Sequence, residues 1–136
     1  GTMMKNRITN PNIKNINDNE IFVFGSNLSG IHGGGAARFA MNFGAIYGNG
    51  IGIQGNTYAI PTKSHGIERT LDIDEIESYV SEFLEFAKAH KEYTFLVTEI
   101  GCGLAGLIPE DVAPLFVNAI NIENVHLPER FWKIIV

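Results

Sequence analysis

Apolar positions along this chain follow two periods. Ile21, Phe22, Val23 and Phe24 are apolar without interruption, and residues 93–98 (Tyr, Thr, Phe, Leu, Val, Thr) form a second β-prone run. Short runs of this kind read as strands, and an unbroken one reads as a strand covered on both faces. Residues 57–60 read as a third strand ended by Pro61, and residues 51–53 as a short one. Ile122, Val125 and Leu127 mark the last. The second period is helical. Ile73, Ile76, Val80, Phe83, Leu84 and Ala87 recur at helix spacing, with Glu75, Glu77, Glu82, Glu85 and Lys88 on the other faces. This pattern predicts a helix over 73–90, opened by an Asp72/Glu75 capping box.

Shorter helices are predicted over 36–43, stopped by Gly44, and from Pro109, where Glu110 and Asp111 suit a helix start. Residues 128–132 read as a terminal helical turn, while residues 134–136 fit a strand equally well. Strands alternating with helices predict an α/β fold with a mixed, mostly parallel sheet. Residues 1–20 are asparagine-rich, with Ile8, Ile13 and Ile16 as anchors. They read as an arm of irregular backbone or weak edge strand, lying along a single domain over 21–136. Residues 62–69 are polar and expected to be exposed.

Two glycine loops interrupt the pattern. One runs from Gly25 to Gly35 and contains Ser26, Asn27, His32, Gly33 and Gly34; the other is Gly101-Cys102-Gly103-Leu104-Ala105-Gly106. Each follows an apolar strand and precedes helix-start chemistry. Such loops offer backbone N–H groups to phosphate near the positive end of a helix. Two on neighbouring parallel strands can share one cleft, which fits a ligand with more than one anionic or ribosyl group.

Composition narrows the partners. The net charge is −5 and no run of Lys or Arg occurs, so a nucleic-acid partner is not expected. No stretch has the length of a membrane span, and residues 1–6 lack an apolar leader segment. A single cysteine, Cys102, permits no internal disulfide and points to a reducing, cytoplasmic compartment. No metal spacing is present, and neither metal nor cofactor is expected.

Several motif readings fail on context. Residues 101–106 match a dinucleotide fingerprint, with Glu123 near the distance of a ribose-binding acid. However, the helix starts beyond Gly106, and only one strand follows. His32-Gly33-Gly34-Gly35 has the letters of an esterase oxyanion loop without the matching nucleophile turn, and no Walker loop occurs. Cys102 is placed where a nucleophile can sit, with His32, His65 or His126 as bases. As a lone cysteine between glycines it reads better as a small apolar residue.

Taken together, the motifs resemble those of the macrodomain family, over about residues 21–127 of this chain. Phe24-Gly25-Ser26-Asn27 resembles that family's strand-ending run, with Asn27 at its final asparagine. Gly33, Gly34 and Gly35 match its glycine triplet, residues 100–106 with Pro109 resemble its phosphate loop, and residues 58–60 resemble the strand between them. Ala105 stands where the family usually has an aromatic, alanines follow the triplet where hydrolytic members often carry aspartate, and Asp18 is the candidate for the adenine-contacting acid.

The resemblance implies a three-layer α/β/α fold and binding of ADP-ribose or a related phosphorylated ribonucleotide. Ser26, Asn27, Gly33, Gly34 and Gly35 would form one side of the site. Gly101, Cys102, Gly103, Leu104, Ala105 and Gly106 would hold the diphosphate. Arg38 and Lys63 are candidate charge partners. Hydrolysis of ADP-ribose or phosphate adducts is the alternative, with Asn27, His32 and Glu99 as candidate catalytic groups. A partner-binding adaptor with a vestigial cleft is a third reading.

Overall fold

The computed structural model describes residues 2–136. Five strands form one sheet: β1 (Glu20–Asn27), β2 (Gly52–Gln54), β3 (Thr57–Lys63), β4 (Thr94–Val97) and β5 (Val125–His126), in the spatial order β2-β3-β1-β4-β5. The pairs β1/β3, β1/β4 and β4/β5 are parallel, and only β2/β3 is antiparallel. Among the described residues, four α-helices accompany the sheet: α1 (Gly35–Ala40), α2 (Ile73–Ala89), α3 (Pro109–Val112) and α4 (Glu129–Ile135).

Alternation along β1 explains the layers. Ile21 and Val23 join the large core under α2, the 113–121 segment and α4, where Phe83, Phe95, Phe116 and Phe131 are buried. Phe22 and Phe24 point the other way, onto Ala37 and Ala40 of α1 and onto Phe39 and Phe43. Both faces of β1 are therefore covered, as its unbroken apolar run requires. The result is a three-layer α/β/α arrangement with a mixed, mostly parallel sheet.

Helix α2 begins where the Glu75 carboxylate reaches back to accept from the Asp72 N–H at 3.0 Å. Helix α1 continues as a 3-10 turn, Met41–Phe43, and ends at Gly44 with φ 109°, a left-handed stop that suits glycine. At the C-terminus the helical alternative holds, and α4 runs through Ile134.

Several boundaries differ from expectation. Strand β3 does not end at Pro61. It continues to Lys63, because Pro61 lies beyond the last β2 pair, Gly52–Ala59, where a missing N–H costs no ladder bond. The β1/β3 register slips between Ser26 and Asn27, and the Thr62 hydroxyl donates to the Ser26 carbonyl at 3.1 Å. Thr62 is accordingly buried, not exposed. Strand β2 starts one residue later than expected, and β5 contains only Val125 and His126.

Residues 2–20 hold a 3-10 turn (Thr2–Arg7) followed by irregular backbone. Met4 enters the main core. Arg7 donates to the carbonyls of Ala119, Ile120, Ile122 and Val125, so its guanidinium caps the end of the 113–121 segment. Burial in this position lowers its pKa. No helix among the described residues is long and apolar enough to cross a membrane.

Candidate functional site

Strands β1 and β4 are parallel neighbours, so the loops that leave their C-terminal ends emerge on one edge of the sheet. Those are the two glycine loops. They approach so closely that a Cβ on Gly25 would lie 3.3 Å from the Gly101 nitrogen. Leu104 leans from the second loop across to the first, where its Cδ1 would stand 3.5 Å from a Cβ on Gly34 and 3.8 Å from one on Gly35. Between them lies a cleft of about 770 Å³. Ser26, Asn27, Gly33, Gly34, Gly35, Gly101, Cys102, Gly103, Leu104 and Ala105 all line it, as do Lys63, Ile67, Thr98 and Glu99. Gly106 and Arg38 do not.

The second loop presents open donors. Its ends are pinned, because Cys102 N–H donates to the Glu99 carbonyl and Leu107 N–H to the Gly101 carbonyl, at 3.0 and 2.9 Å. The Thr70 hydroxyl holds the Ala105 carbonyl at 2.8 Å. Among the described residues, the N–H groups of Gly101, Gly103, Leu104 and Ala105 meet no protein acceptor. The same is true of Gly33 and Gly34 on the facing loop. Helix dipoles add little, contrary to the sequence reading: α1 has 6 residues, and α3 has 4 and starts past Gly106. The anion-attracting groups are the loop amides themselves.

The first loop is tied down by its own side chains. Ser26 Oγ donates to the Gly50 carbonyl at 2.5 Å. The Asn27 amide clamps Ile31 at both ends: Nδ2 donates to the Ile31 carbonyl at 2.8 Å, and Oδ1 accepts from the Ile31 N–H at 3.0 Å. His32, a candidate catalytic group, is buried. Its Nε2 faces the carbonyls of Ile46 and Asn49 at 3.0 and 3.1 Å, and its ring meets Phe24 edge-on. It lines no part of the cleft. An apolar partner ring and two backbone acceptors hold it there.

Glu99 stands at the cleft wall, bound in a fork to Arg130 at the start of α4, with contacts of 2.6 and 2.7 Å. That hydrogen-bonded pairing raises the Arg130 pKa. The Cys102 thiol is pushed up to about 11, mainly by burial and then by the Glu99 charge, so it is protonated near neutrality. None of His32, His65 and His126 forms a hydrogen bond with it. A cysteine nucleophile is not assembled here.

A second cleft of about 630 Å³ adjoins the first and shares Gly35, Ala36, Thr98 and Glu99 with it. Its other walls include Ile8, Thr9, Pro11, Phe22, Phe39 and Pro128. Asp18 lines neither cleft. Sequence reasoning missed Arg130, Ile67 and the arm's share of this wall, since all three reach the site through long-range packing. Among the described residues, no three His, Cys, Asp or Glu side chains gather as a metal site would require.

The fold and cleft define an α/β/α domain with a candidate ligand site at the carboxyl edge of a mostly parallel sheet. No protein-family model matches the chain, and no curated protein does. A solved structure titled as a protein of unknown function from Bacteroides thetaiotaomicron is similar, with a TM-score of 0.58 and 15% identity over 80% of this chain and 85% of that one. At that identity the likeness concerns the fold alone.

Proposed function

We propose that this protein binds a phosphorylated ribonucleotide of the ADP-ribose type in the cleft between the two glycine loops. The observation that carries the reading is the convergence of unpartnered amides: Gly101, Gly103, Leu104 and Ala105 from one loop, Gly33 and Gly34 from the other. A diphosphate presents acceptors on several sides and suits such a cradle. The adjoining cleft, with Phe22, Phe39 and Pro128 on its walls, supplies an apolar place for a base. The resemblance of both loops to macrodomain motifs supports the same ligand class.

Binding is favoured over hydrolysis. Of the candidate catalytic groups, His32 is turned away from the cleft and Asn27 is engaged with Ile31. Glu99 faces the cleft but is neutralised by Arg130.

The test is calorimetric titration with ADP-ribose, ADP and ribose 5-phosphate, on the wild type and Gly103→Glu. A Cβ at Gly103 meets no atom within 4 Å, so the variant should fold normally. It sets a carboxylate among the amides and should lose binding by at least about tenfold, the price of one misplaced charge contact. Wild-type affinity in the variant, or no heat with any of these ligands, would remove this reading.

A further inference from the structure

One residue on the cleft wall holds a strained backbone. Among the described residues, Ile67 is the only non-glycine at positive φ, at 58°. The left-handed region crowds any Cβ, and a β-branched residue there is an outlier. Core packing offers no compensation, because Ile67 belongs to neither core and is 44% exposed. It lines the cleft between the glycine loops instead.

The surrounding bonds impose this conformation. Residues 63–70 leave the end of β3 and close on themselves at a neck. Lys63 and Thr70 form a bridge, the Ser64 N–H donates to the Arg69 carbonyl at 2.8 Å, and the Arg69 N–H donates to Ser64 Oγ at 3.2 Å. Beyond the neck, the Ile67 N–H donates to the Ser64 carbonyl at 3.1 Å. The segment is also stitched to both glycine loops. On the first, the Leu28 N–H donates to the Lys63 carbonyl and the Gly66 N–H to Ser29 Oγ, each at 3.0 Å. On the second, the Thr70 hydroxyl donates to the Ala105 carbonyl. Strain that its surroundings hold in place is concentrated at functional positions.

The sheet order tells which part of a ligand Ile67 would meet. In the order β3-β1-β4, residues 63–70 follow β3 on one side of β1, and Thr98 and Glu99 follow β4 on the other. The adjoining apolar cleft opens through Thr98 and Glu99, and neither Lys63 nor Ile67 lines it. A base seated there and a diphosphate on the loop amides leave the β3 side for whatever group lies beyond the second phosphate.

We propose that Ile67 is a specificity-determining residue: it packs on the sugar beyond the diphosphate and so favours a nucleoside diphosphate sugar over a nucleoside diphosphate. The proposal rests on the nucleotide reading above. The side chain covers the C–H face of the sugar, and its backbone is fixed in advance, so little ordering is needed on binding.

Calorimetry with ADP-ribose and ADP, beside thermal unfolding, tests this on the wild type, Ile67→Gly, Ile67→Asn and Gly103→Glu. Glycine and asparagine accept the left-handed backbone, so both Ile67 variants should keep or raise the unfolding midpoint. Both should bind ADP-ribose about tenfold more weakly, as expected for one lost apolar contact, and hold ADP within about twofold. Gly103→Glu should lose both ligands. A wild type that binds neither ligand, or a Gly103→Glu that keeps both, overturns the nucleotide reading and this proposal with it. Where those two behave as expected, wild-type affinity of either Ile67 variant for ADP-ribose overturns the proposal alone. So does an equal loss for ADP, which would put Ile67 on the shared diphosphate. A midpoint lowered by more than about 5 °C in both variants overturns it too, since Ile67 would then serve the fold.

Discussion

The two glycine loops look alike in sequence and are built oppositely. The first is anchored through side chains to the 44–55 stretch, Ser26 to Gly50 and His32 to Ile46 and Asn49, and Asn27 clamps Ile31 within the loop itself. Backbone is packed on backbone where this loop meets that stretch, at Gly30 and Gly50. A Cβ on Gly50 would fall 1.9 Å from the Asn27 oxygen, and one on Gly30, at φ 70°, 2.3 Å from the Asn49 nitrogen. The second loop is held at its ends and by the Thr70 hydroxyl at the Ala105 carbonyl, and leaves the N–H groups of Gly103, Leu104 and Ala105 and the Leu104 side chain in the open. Gly30 and Gly50 serve folding, whereas a Cβ on Gly103 or Gly106 would meet no atom within 4 Å, which leaves room for something else. One loop is a floor and the other a flap, which teaches that glycine content alone does not mark a ligand site.

Substitutions can break this contrast, and the largest effect falls on the floor. Gly50→Ala forces backbone apart and should cost more than about 4 kcal/mol, enough to abolish cooperative unfolding in urea. Asn27→Ala removes both clamps on Ile31 and should cost about 1–3 kcal/mol by the same measurement. On the flap, Leu104→Ala truncates an exposed side chain and should shift stability by less than about 0.5 kcal/mol. It should still speed ligand dissociation in stopped flow, because the bridge to Gly34 and Gly35 is gone. A large stability loss in Leu104→Ala, or none in Gly50→Ala, would reverse the assignment of floor and flap.

The smallest effect concerns pH. The thiol of Cys102 has an ordinary value of 9.0 and is raised to about 11 in the fold by burial. A raised acid contributes stability that is complete below pH 9 and is lost as pH climbs toward 11. Alkylation by iodoacetamide should therefore be slow at pH 8 and rise through that window in the native state. Rapid modification at pH 8 would mean that the thiol is not held as the fold requires.

Much of the architecture was legible. The unbroken apolar run of β1 announced a strand covered on both faces, and the spacing of Ile73, Ile76, Val80, Phe83 and Leu84 announced α2. The site's two loops were legible for a related reason: glycine runs after parallel strands must share an edge. What stayed hidden depends on distant partners. The burial of His32 follows from Phe24, Ile46 and Asn49 closing around it. Pro61 remained inside a strand because the neighbouring strand had already ended. Glu99 met Arg130 only because α4 folds back over the end of β4.

Local chemistry, then, was settled by the chain's order alone: which segments extend, which coil, and where the backbone is bare enough to meet an anion. Periodicity and glycine act within a few residues, so a linear reading captures them. Which loop became rigid and which charge was cancelled were decided by the assembled fold. Those outcomes depend on contacts between segments far apart in the chain, such as Gly50 against Asn27 and Arg130 against Glu99, and no local pattern encodes such a meeting.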